Sequence, residues 1–142
     1  MNSGTAAVSL LVILLVLSCA RIAPPQTLAG TSWQLVKFQG GDGVLATSDD
    51  PSKYTLAFAA DGSFSMRIDC NRGRGGWKSA GPGQVEFGPM AITRAACPPD
   101  SLHDHIVKRW PYVRSYVFKD GRLYLSLMAD GGIYEFEPGG GK

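Results

Sequence analysis

Three of the four Asp-Gly pairs, at 61–62, 120–121 and 130–131, constrain this chain more than any other feature. Asp-Gly supplies the positive-φ geometry of a tight hairpin, and between alternating apolar residues it signals two paired antiparallel strands. The flanks do alternate. In YTLAF (54–58) Tyr54, Leu56 and Phe58 share one face, and in FSMRI (64–68) Phe64, Met66 and Ile68 do the same. VRSYVF (113–118), RLYLSL (122–127) and GIYEF (132–136) read as a three-strand meander through the other two pairs, with Leu123, Leu125 and Leu127 on one face.

Shorter segments extend this pattern. TSWQLVKF (31–38) places Trp33 and Leu35 on one face and is broken by GGDG (40–43). Trp77 faces Val85 and Phe87 in a weaker hairpin across GPG (81–83), and MAIT (90–93) reads as another short strand. PPDSLHDHIVKRWP (98–111) is the one helix. Asp100 or Ser101 caps it, Leu102, Ile106 and Trp110 follow helical spacing, and Pro111 limits it. Seven or eight short antiparallel strands tend to curl and close, which removes exposed edges. The expected fold is α+β and mainly β: a small curved antiparallel sheet or partly open, cracked β-barrel, with the helix against one mouth or edge.

The N-terminus reads differently. The first eighteen residues carry no charged side chain, and residues 8–18 are a continuous apolar run. The run is too short to span a bilayer, which takes about 20 residues, and suits the apolar region of a secretory signal peptide. Cys19 follows at once, with Val16 three positions before it and Ser18 directly before it. This resembles a lipoprotein signal, in which the chain is cut before the cysteine and the cysteine carries lipid. The n-region lacks Lys or Arg. The expected organisation is a signal peptide at 1–18, a lipidated-cysteine tether at 19–27, one folded domain at 28–138 and a tail at 139–142. Pro24 and Pro25 keep the tether extended. The expected location is the periplasmic side of the cell envelope, at the outer membrane in preference to the inner.

The chain has three cysteines. If lipid consumes Cys19, Cys70 and Cys97 remain, and an even remainder in an oxidising compartment suggests a disulfide. The alternative is two free buried thiols. Net charge is +2, too small to argue for nucleic acid, whose binders present clustered basic faces.

DCNRGRGG (69–76) tests the chemistry. It lacks the Gly-Lys-Ser/Thr ending of a phosphate loop, and no helix follows it. It reads as a flexible turn in which glycines, and Asn71, take positive φ. Arg72 and Arg74 then point to water, as candidate surface contacts for lipid headgroups. His103 and His105 are two apart and do not share a helix face, so no metal site and no cofactor is expected. Asp69 and Glu86 are carboxylates whose proximity the sequence leaves open. No serine lies in a nucleophile elbow.

LAGTSWQLV, YTLAFAADGSFSM followed by DCNRG, VEFGPMAITRAACP and the final meander occur in this order. Together they resemble the META (HslJ-like) domain family of bacterial lipoproteins, over nearly all of residues 28–137. The pairing of Cys70-Asn71-Arg72 with a later Thr93-Arg94-x-x-Cys97-Pro98 is the most specific part. Met66 departs from the pattern, since members often carry glycine before the Cys-Asn motif. The resemblance implies a small, mostly antiparallel domain with one helix, export or lipid anchoring, proposed links to heat and other stresses, and no catalytic residue. The expected function is a non-catalytic, lipid-anchored envelope domain with a stress-response or interaction role. Its expected partners are the membrane, through the anchor, and an envelope protein or a small apolar ligand. The alternative is a carrier or sensor of a small hydrophobic ligand in the barrel interior, for which the many aromatics would form the lining. A hydrolase is the remote alternative.

Overall fold

The structure, a computed structural model, describes residue 1 and residues 26–140. The signal peptide, Cys19 and most of the tether lie outside the described residues, as does the end of the tail.

The described residues fold into ten strands and one α-helix: β1 (Thr31–Gln39), β2 (Leu45–Thr47), β3 (Tyr54–Phe58), β4 (Ser63–Ile68), β5 (Asn71–Lys78), β6 (Glu86–Phe87), β7 (Ala91–Ile92), α1 (His103–Arg109), β8 (Val113–Lys119), β9 (Arg122–Leu127) and β10 (Ile133–Pro138). All pairings are antiparallel, in the order β6-β5-β4-β3-β1-β10-β9-β8, with β2 beside β1 and β7 beside β5. The two ends of this order nearly meet. Val85 N–H donates to the Arg114 carbonyl at 3.0 Å, and Tyr116 N–H donates to the Gly83 carbonyl at 2.9 Å. A single bridge, Gln84 to Ser115, joins them further. The sheet is thus a nearly closed barrel with an unsealed seam, because β6 is only two residues long and supports no ladder against β8.

The alternation holds where it was read. Tyr54, Leu56 and Phe58, then Phe64, Met66 and Ile68, then Leu123, Leu125 and Leu127 all face the core. The Asp61-Gly62 turn places Gly62 at φ 85°, and the Asp61 carboxylate accepts from the Ser63 amide and hydroxyl. At 120–121 both turn residues have positive φ, 51° and 74°. The third pair departs from a simple hairpin. Residues 128–130 form a 3-10 turn, and positive φ falls on Ala129, Asp130 and Gly132 rather than on Gly131.

Three further features go beyond the alternation. β1 carries a bulge between Leu35 and Lys37, which resets its parity so that Trp33, Leu35 and Phe38 are all buried. β2 is three residues long and carries no legible pattern. α1 is shorter than expected and starts after Leu102, whose apolar side chain cannot cap it. Ser101 Oγ instead accepts from the His103 amide, and the Tyr54 hydroxyl accepts from Leu102 N–H at 2.9 Å. The helix thereby sits over the mouth where β3 begins, and it inserts Ile106 and the following Trp110 into the core. No helix among the described residues is long and apolar enough to cross a membrane.

Candidate functional site

The glycine-rich stretch is not a turn. Asn71 to Lys78 is strand β5, paired with β4 from Ser63–Gly76 to Ile68–Asn71. None of its glycines has positive φ; the left-handed residue is Asp69, at φ 57°, in the two-residue turn that precedes it. The glycines serve close approach. A Cβ at Gly75 would lie 2.7 Å from the Phe64 ring and 2.8 Å from the Pro89 carbonyl oxygen, and one at Gly73 would lie 2.6 Å from Met90 Sδ. Inward positions 73 and 75 of β5 hold no side chain because neighbouring residues occupy the space, whereas Asn71 and Trp77 at its two ends do point inward. Outward positions hold Arg72 and Arg74, both exposed on the outer face of the barrel.

Asn71 begins this strand and is completely buried. Its amide nitrogen donates to the Ala95 carbonyl at 3.0 Å and to Cys97 Sγ at 3.3 Å. Its oxygen accepts from Thr93 Oγ1 and from the Ala95 amide, both at 2.8 Å. Thr93 Oγ1 in turn accepts from the Arg72 amide at 2.9 Å. Beside this knot Cys70 and Cys97 form the disulfide, with their Cα atoms 5.5 Å apart. Every polar atom of the Asn71 side chain is satisfied, as burial requires. Asn71 is thus not the positive-φ turn residue that the sequence suggests but the joint between two segments. The signal for its real task was the pairing of Cys-Asn with Thr-Arg-x-x-Cys, which marks the two segments it joins.

The joined segment borders a recess of about 650 Å³ between residues 92–101 and α1, lined in part by Ile92, Arg94, Cys97, His103 and Val107. The Thr93 hydroxyl is engaged by Asn71 and Arg72, so it is a structural group. His103 Nδ1 lies 2.9 Å from Asp104 Oδ1. His105 faces another way, with its ring 4.5 Å from that of Phe38. Burial lowers its proton affinity below the ordinary value, and the nearby Arg109 charge adds to this. The HDH triplet is thus split between a surface recess and the core flank. Asp69 and Glu86 sit at opposite ends of the eight-residue β5, and Glu86 pairs with Lys78 at 3.6 Å.

The barrel interior is filled. Trp110 packs on Phe87 with ring centroids 4.4 Å apart, and on Phe64 at 5.9 Å. Tyr134 packs on Phe38 at 4.7 Å. The space left among Leu35, Met66, Trp110 and Tyr134 is about 10 Å³, about that of one water probe. A ligand inside the barrel, the alternative expectation, has no room in this packing. Met66, the departure from the family pattern, is one of the side chains that fill it. Burial also raises the proton affinity of the Tyr134 phenol well above the ordinary range.

A family profile described as the META domain matches residues 26–138. Among solved structures, one is an NMR structure of a protein from Burkholderia xenovorans, 20% identical, covering 80% of this chain and 85% of that chain at a TM-score of 0.68. Another is the crystal structure of a DUF4847-family protein from Bacteroides vulgatus, 16% identical, covering 81% of this chain and 96% of that chain at a TM-score of 0.59. At these identities the likeness concerns the fold alone. No curated protein matches the chain.

Proposed function

The chain belongs to the META domain family, and from that premise we propose that it is a non-catalytic, lipid-anchored domain of the cell envelope that acts by surface interaction, in a stress-related role. The observation that carries this reading is the filled interior. With about 10 Å³ left inside, recognition falls to the outer surface, and the recess beside Cys97 and α1 offers a concave face for a segment of an envelope protein. The Asn71 knot and the disulfide support the same reading, since they hold one wall of that recess rigid. Anchoring rests on Cys19 and the apolar run before it. The test is the intact mass of the mature protein together with its fractionation. A diacylglyceryl-modified N-terminal cysteine in the membrane fraction, and release of C19A into the soluble fraction, is the expected result. An unmodified chain that is soluble with or without Cys19 would refute it. Turnover on a panel of ester, peptide and glycoside substrates would refute the non-catalytic part.

A further inference from the structure

Strand β3 fixes the two ends of the barrel. At its start, the Tyr54 hydroxyl accepts from Leu102 N–H below α1. At its finish, the Phe58 carbonyl accepts from Gly30 N–H at 2.8 Å. The N-terminal segment therefore enters the fold at the end opposite α1. Residues 26 and 27 border a recess of about 500 Å³ along the seam, together with Pro82, Val117 and Phe118. Val117 is 56% exposed. Lys119 follows it and is exposed, and the 120–121 turn projects from the same end.

The reach of the tether sets what this end can do. Cys19 and Gln26 are seven residues apart in sequence, which spans at most about 25 Å when fully extended. The nine-residue β1 is about 30 Å long, or roughly 23 Å along the axis at the usual barrel tilt. α1 lies at that far mouth, and a helix with its side chains is about 10 Å thick. A lipid on Cys19 thus leaves too little chain to pass the barrel wall and bring the α1 end to the same bilayer.

Building on the anchoring reading, we propose that the barrel end formed by residues 26–30, 79–83 and 119–121 is apposed to the bilayer. Pro82, Val117 and Lys119 meet the headgroups there. The α1 end, with the disulfide and its recess, faces away from the membrane.

Hydrogen–deuterium exchange on the full lipidated protein in phosphatidylethanolamine–phosphatidylglycerol nanodiscs, compared with C19A in solution, tests this. Exchange should slow at least about threefold at 79–83 and 119–121 and stay unchanged at 99–105. K119E should weaken that slowing without shifting the melting temperature. Equal or greater slowing at 99–105, or none anywhere in nanodisc-bound protein, would overturn the orientation while leaving the anchor intact. A mature chain without acyl mass that does not load into nanodiscs would overturn both.

Discussion

Strands β5 and β9 lie on different parts of the barrel wall and meet the core by opposite means. β9 points Leu123, Leu125 and Leu127 inward, and Leu125 is fully buried. β5 points in Gly73 and Gly75, and its neighbours Phe64 and Met90 come to it. β9 is held by apolar volume. β5 is held by a buried amide, a disulfide and the absence of side chains. One wall should therefore fail when atoms are removed, and the other when atoms are added or polar partners are lost.

Four measurements would break or sharpen this contrast. Leu125→Ala, on the volume-filled wall, should cost about 4 kcal/mol in denaturant unfolding; a cost under about 1 would mean that this wall is loosely packed. Asn71→Ala should cost about 3 kcal/mol, because it strands the Ala95 amide and carbonyl away from water. If Asn71→Ala melted like the parent protein, the knot would be ornamental. Gly75→Ala should cost about 2 kcal/mol, since the new methyl meets the Pro89 backbone as well as Phe64. Gly73→Ala should cost much less, because only the flexible Met90 side chain must move. Equal melting temperatures for the two glycine variants would contradict the close-approach account.

The smallest effect concerns pH. His105 in the folded chain holds its proton less tightly than its ordinary value near 6.5, so the unfolded chain binds that proton more readily. Its contribution is fully present above about pH 6.5 and declines as pH falls below it. Melting curves between pH 7 and 5 should show a shallower loss in H105Q than in the parent protein. An unchanged slope would assign the acid sensitivity to other groups.

This contrast also explains what could be read from the sequence. β3, β4 and β9 were legible because their inward residues are large and apolar at every second position. β5 has the same period, but between Asn71 and Trp77 its inward residues are glycines and its outward ones arginines. That part of the alternation has nothing hydrophobic to display it, so it reads as a loop. The parity change in β1 was hidden because a bulge depends on register with β10, a strand nearly a hundred residues away. Ser101, one of the two expected caps, does meet the first turn of α1 through the His103 amide, but the Tyr54 hydroxyl that takes the Leu102 amide comes from β3 and leaves no local sign in the sequence. At the candidate site, Cys70 and Cys97 were legible by arithmetic. The network of Asn71 was not, because its partners Thr93 and Ala95 come together only in the folded sheet.

Asn71 also bears on how the thiols find each other. Three cysteines permit three pairings, and only one is native. The bonds from Asn71 to Thr93 and Ala95 bring residues 93–97 against β5 without any help from sulfur. The amide that ties the two segments also sets Cys70 and Cys97 side by side, with their Cα atoms 5.5 Å apart. The disulfide and the seat of residues 93–97 against β5 thus share one asparagine.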